Sequence, residues 1–192
     1  MEKYLATSLD AAAWEQHGPA WIRFVKSNGF GGIVVDGGLP DEAKQKLSEV
    51  KFQVVSVQSG HTLVDQYAAA LTAVKSGQWC LFAQPGEEFD PDAFVDPDRM
   101  VCREEEILKV ENVVMPIANL FERAKIAAVL ESNSLLSAAV LAGPERIWHQ
   151  FLGVFRHILA SNYVESRRAL SELALNLFAS QFPNSVRVVQ HD

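Results

Sequence analysis

The chain has 192 residues, with a hydrophobic share of 48%, a charged share of 21% and a net charge of −7. That length suits one domain with a core large enough to need neither disulfides nor metal. The acidic balance argues against broad nucleic-acid binding and against an anionic membrane surface, since both call for a basic patch; a local basic pocket stays compatible with it.

The opening MEKYLATSLDAAAWEQ lacks the apolar stretch of a signal peptide, and no apolar run reaches the roughly 18 residues of a membrane span, so a soluble, cytoplasmic chain is expected. Lys3 to Thr7 reads as a first strand. Two helical pieces follow, Ala11 to Gln16 and Pro19 to Ser27, with Gly18-Pro19 as a break and Asn28-Gly29 as a stop. Trp14, Trp21, Phe24 and Val25 fall at helical spacing and mark a core face. The β-branched run GIVVD, Gly32 to Asp36, reads as a parallel strand ending in an acid. Pro40 then opens a helix whose first turn carries Asp41 and Glu42, where the helix dipole favours negative charge.

Phe52 to Val57 is a third strand, and Tyr67, Ala70, Leu71 and Val74 make one face of a helix ending near Gly77. WCLFA, Trp79 to Ala83, is a fourth strand that runs into the break Gln84-Pro85-Gly86 and the acids Glu87, Glu88 and Asp90. Repeated strand, helix, strand predicts a parallel sheet covered on both faces, because parallel neighbours need crossover connections. After residue 90 the alternation loosens. DPDAFVDPDRM reads as loop, Met100 to Arg103 as a short strand, Ile117 to Leu130 as a helix and Leu135 to Ala142 as a strand. Pro144 starts a helix with Ile147, Trp148, Phe151, Leu152, Phe155 and Leu159 on one side; that side reads as core, and an exposed apolar patch there is the reading for an interaction protein. Glu165 to Gln181 is a further helix, and Val186 to Gln190 a closing strand. Cys80 and Cys102 form no CxxC pair and read as buried free thiols.

In an open parallel sheet, ligands bind beyond the carboxyl ends of the strands. That rim gathers Thr7, Ser8, Asp10, Asp36, Gln58 and the corner from Gln84 to Asp90. Asp36 either accepts hydrogen bonds from a nucleotide or caps the local Asp-Gly-Gly turn. Glu87, Glu88 and Asp90 either offer oxygens to Mg2+ or Mn2+ or form a solvated acidic turn. Neither GxGxxG after a strand nor GxxxxGK[ST] occurs, so dinucleotide-fold and P-loop readings fail. His17, His149 and His157 fall in predicted helices, His61 in a turn, and His191 ends a strand that rejoins the sheet. No Ser-His-Asp or Cys-His signature supports nucleophilic hydrolysis.

These stretches together resemble the nucleotide-sugar glycosyltransferases of the GT-A fold. A first strand ending Thr-Ser, a strand ending VVD, the helix Asp65 to Gly77 before GQWCLF, the stretch SAAVLAGPERIWHQFL, the helix SELALN and the ending VRVVQH follow that family's order. The resemblance implies a single α/β domain with a mostly parallel, mixed sheet flanked by helices. Residues 1–90 would form the nucleotide-binding half and residues 91–192 the acceptor-side half. It implies a protein that binds a nucleoside diphosphate sugar and transfers the sugar to an acceptor, with Thr7, Ser8 and Asp36 on the nucleotide. Glu87 and Glu88 would act in catalysis, and Glu88 with His191 would hold Mn2+ or Mg2+. The departures are specific: the metal-binding DxD reads Gln84-Pro85-Gly86, Asn-Ser/Ala-Gly reads Ser137-Ala138-Ala139, and Asp-Gln reads Ser171-Glu172. The metal in such enzymes neutralises the leaving diphosphate, an electrostatic contribution that is usually large. Lys75, Arg99 and Arg103 are the cations that can replace it. The alternative implied by the changed corner is a non-catalytic relative that works through binding or assembly.

Overall fold

The computed structural model describes residues 2–57, 63–104, 108–131, 133–160 and 170–189. In chain order they form β1 (Lys3–Leu9), α1 (Ala11–Ser27), β2 (Gly31–Asp36), α2 (Asp41–Glu49), β3 (Gln53–Ser56), α3 (Leu63–Thr72) and β4 (Trp79–Ala83). Then come β5 (Met100–Glu104), α4 (Val110–Val114), α5 (Leu120–Leu130), β6 (Leu136–Pro144), α6 (Glu145–Ala160), α7 (Leu170–Gln181) and β7 (Val186–Val189). The strands make one sheet in the order β3-β2-β1-β4-β6-β5-β7. β6 runs antiparallel to both of its neighbours, and the remaining pairs are parallel.

Helices on both faces explain why the central strands read as nearly unbroken apolar runs. Alternate residues serve different cores. Tyr4, Ala6, Ile33, Val35, Cys80 and Phe82 face the side covered by α3, α6 and α7. Leu5, Leu9, Val34, Trp79 and Leu81 face the side covered by α1 and α2. Two long-range hydrogen bonds fix the first layer: the Tyr67 hydroxyl donates to the Ala138 carbonyl at 3.2 Å, and the Trp148 indole donates to the Cys80 carbonyl at 3.0 Å. The Asn176 side chain both accepts from Leu136 N and donates to Leu136 O, each at 3.0 Å, which pins α7 to the start of β6. The Trp148-Phe151-Phe155 stripe is core, as all three residues are buried.

Four expectations need correction. The two helical pieces before residue 28 are one helix, α1, with Pro19 inside it. Proline there removes a single backbone donor, and Gly18 is kept small by packing: a Cβ would lie 2.4 Å from Trp14 Cε3. α3 stops at Thr72, where the Thr72 hydroxyl donates to the Ala69 carbonyl at 2.7 Å and the next two amides tighten to i−3 bonds. The helix expected from Ile117 is replaced by α4 and α5, the second capped by Asn119, whose side chain accepts from Phe121 N and Glu122 N. β1 extends to Leu9 because Ser8 and Leu9 pair with Val35 and Asp36. Gln58, His61, residues 165–169 of the expected helix, Gln190 and His191 lie outside the described residues.

Candidate functional site

The path of the chain creates a crevice. From β1 it proceeds outward through β2 to β3, then returns through α3 to β4 on the other side of β1. The carboxyl ends of β1 and β4 therefore diverge in their onward connections, and an open α/β sheet binds ligands at such a switch point. A groove of about 490 Å³ lies there, lined by Ser8, Asp10, Gly37, Leu63, Gln66, Gln84 and Pro85 among others. Its polar groups are a hydroxyl, a carboxylate and two primary amides, which together donate and accept hydrogen bonds. Asp10 also caps α1, accepting from Ala13 N at 2.8 Å. Gln66 and Leu63 come from the first turn of α3, whose sequence pattern marks only the core face through Tyr67, Ala70 and Leu71 and gives no local signal for these two.

Each nucleotide residue expected from sequence has a definite place. Ser8 is half-buried and lines the crevice. Thr7 is 1% exposed, lies on the opposite face of β1, and donates its hydroxyl to the Ala83 carbonyl at 2.8 Å. Asp36 turns toward α2, where one oxygen pairs with Lys44 Nζ at 2.8 Å and the other accepts from Gly38 N and Leu39 N at 2.9 and 2.7 Å. Burial alone would raise the Asp36 carboxyl, but Lys44 and the two amides outweigh it and hold the group below the usual carboxylate value. Gly37, not the Asp36 side chain, is what reaches the crevice.

At the corner, Gln84-Pro85-Gly86 turns with Gly86 at φ 86°, a conformation suited to glycine. Glu87 forms an ion pair with Arg103, and Arg103 Nη1 lies 3.5 Å from the Glu88 carbonyl oxygen. Because β6 is antiparallel to both β4 and β5, those two strands run the same way, which brings Arg103, near the end of β5, to this rim. Lys75 precedes β4 and Arg99 precedes β5, so both lie at the opposite end of the sheet. Of the three expected cations, Arg103 alone meets the corner. A second clamp holds the rest of the loop. Asp96 pairs with Arg99 at 2.9 Å and with Arg187 Nε at 3.2 Å, the latter without hydrogen-bond alignment, while Arg187 Nη2 donates to the Ala93 carbonyl at 2.6 Å.

Among the described residues, the corner does not assemble a divalent-metal site. The corner tripeptide offers no carboxylate, Glu87 is engaged by Arg103, and Glu88 is exposed. Among the described residues no three His, Cys, Asp or Glu side chains converge as a metal site, and His191 is outside them.

The fold is the GT-A architecture, shared with solved nucleotide-sugar glycosyltransferases and with nucleotidyl transferases. The glucosyl-3-phosphoglycerate synthase of Mycobacterium tuberculosis, solved with Mn2+, UDP and glucosyl-3-phosphoglycerate, superposes with a TM-score of 0.59 at 13% identity, covering 98% of this chain and 69% of that one. A galactosyltransferase in complex with donor and acceptor sugar analogues gives 0.58 at 11% identity, covering 98% and 73%. A CMP-2-keto-3-deoxy-manno-octonic acid synthetase complexed with CTP gives 0.51 at 10% identity, covering 100% and 90%. Likeness at these identities establishes the shared fold. No protein-family model and no curated protein matches the sequence. No helix among the described residues is long and apolar enough to cross a membrane.

Proposed function

We propose that this chain binds a nucleoside diphosphate sugar in the crevice between the carboxyl ends of β1 and β4. The observation that carries the reading is the groove of about 490 Å³ at the switch point of a GT-A sheet, lined by groups suited to a base and ribose. Ser8, Gln66 and Gln84 supply the hydrogen bonds. Asp36 acts through its turn, which presents Gly37, and Thr7 acts by locking β1 to β4. Structures of this fold solved with UDP or CTP support the choice of ligand class. Residues 1–90 furnish the nucleotide side, and residues 91–192 furnish the acceptor side.

The corner favours binding without metal-dependent transfer. Transfer needs positive charge on the leaving diphosphate. Here the DxD position carries Gln84-Pro85-Gly86, and Arg103 is already neutralised by Glu87. For Glu87 and Glu88 to act in catalysis, Glu87 must first leave Arg103. The non-catalytic reading requires no such rearrangement.

Thermal unfolding against UDP-, GDP-, CMP- and dTDP-sugars, with and without Mn2+, separates these readings. A ligand at about 100 times its dissociation constant adds roughly 2.7 kcal/mol of apparent stability. The proposal expects one nucleotide class to raise the unfolding temperature equally with and without Mn2+. A shift that appears only with Mn2+ would restore the metal-dependent transferase reading, and no shift with any donor would remove the nucleotide.

A further inference from the structure

On the opposite face of the same corner lies a second groove, of about 510 Å³, between α1 and residues 83–89. The alternation of β1 separates the two sites: Ser8 opens to the crevice, while Leu5 and Leu9 floor this groove. Gln84 and Pro85 line both and form the wall between them. Volumes of roughly 300–1,000 Å³ with mostly apolar walls and a few polar groups characterise small-molecule sites.

The walls are aromatic and their rings are preset. Phe24 meets Phe89 edge to face at 5.4 Å, Phe89 meets Phe94 at 5.7 Å, and Trp21 is held by Phe52 at 5.5 Å. Gly86 permits close approach at the mouth, since a Cβ there would stand 3.1 Å from the His17 ring. Two acidic residues, Glu87 and Glu88, are among those that line the groove. Glu87 is answered by Arg103, whereas no cation pairs with the exposed Glu88 carboxylate among the described residues. An aromatic-walled groove with one uncompensated negative charge complements a particular kind of ligand. Ring faces attract cations, and the free carboxylate supplies the counter-charge.

We propose that this groove binds a small organic cation with an aromatic body, its ammonium group at Glu88 and its ring among Trp21, Phe24 and Phe89. The site is independent of the nucleotide reading, because it uses the other face of β1 and needs no nucleotide present.

The test compares 2-phenylethylammonium with the neutral isostere 2-phenylethanol by titration followed in 1H–15N correlation spectra. Wild type should bind the ammonium about tenfold more tightly, with the amide peaks of Ala20, Trp21 and Gly86 moving. Glu88→Gln should erase that preference. Ala20→Phe, a change at an exposed helix position that fills the groove, should abolish binding of both probes while the spectrum stays that of a folded chain. Equal affinity for the two probes in wild type, binding of neither, or ammonium binding that survives Ala20→Phe would each overturn the proposal. Because no nucleotide enters the titration, failure here leaves the crevice reading untouched, and failure of the nucleotide panel leaves this one untouched.

Discussion

Asp36 shows how one residue type can be legible in sequence while its role is not. An acid ending a β-branched run placed it at the rim, and the rim is where it sits. What the sequence could not give was the direction of its side chain, which is set by a lysine eight positions later on α2 and by the amides of its own turn. Asp96 is a parallel case: burial pushes its carboxyl up, and the amides of Asp98 and Arg99 with the Arg99 guanidinium more than reverse this. Both folded-state values are depressed, so both groups contribute stability above the ordinary unfolded value, near 3.9 for Asp. That contribution is lost as pH falls through the lower folded value. Urea unfolding should therefore show a level midpoint from neutral pH down to about 5 and a fall below about 4. Asp36→Asn should be less stable at neutral pH and show a smaller acid-side fall than wild type. An unchanged acid slope would mean that Asp36 is not held as described.

At the scale of elements, the best-read parts of the chain were those with a strong period. β2, β4 and α6 carry unbroken or helical apolar patterns and fall where expected, within a residue or two. In α1 the Gly18-Pro19 pair is a local breaker signal that predicts two helices, whereas the chain forms one, with Trp14 packed on Gly18 one helical turn away. Alanine is the better helix former by about 1 kcal/mol, so propensity alone says that Gly18→Ala stabilises. Packing says the reverse: a Cβ at 2.4 Å from the Trp14 ring overfills the contact between successive turns of α1, at a typical cost of about 1–3 kcal/mol. A lowered unfolding midpoint is expected, and a raised one would show that Trp14 moves aside freely. The loop after β4 was legible as loop, but its two arginine clamps join residues up to 94 positions apart and leave no local pattern.

The whole molecule is a layered sheet whose two cores are sealed, and its thiols report that seal. Cys80 and Cys102 are both buried, and burial pushes each thiol up to about 12. The thiolate is the reactive form, so iodoacetamide at pH 8 should label neither cysteine in the folded chain and both after unfolding in urea. Labelling at a rate set by reagent alone would contradict the packing described. The same architecture placed two grooves back to back across the Gln84-Pro85 corner. The sequence revealed the rim of one through its strand ends and concealed the other within an apparently ordinary core helix. The claim on which the account depends is that the crevice between β1 and β4 holds a nucleotide. Its most direct test is an isothermal titration of the donor that gives the largest thermal shift, into wild type and into Ser8→Phe. The account expects saturable binding to wild type and a loss of at least about tenfold, some 1.4 kcal/mol, in a variant that still unfolds cooperatively. Equal affinity in the two proteins would contradict it.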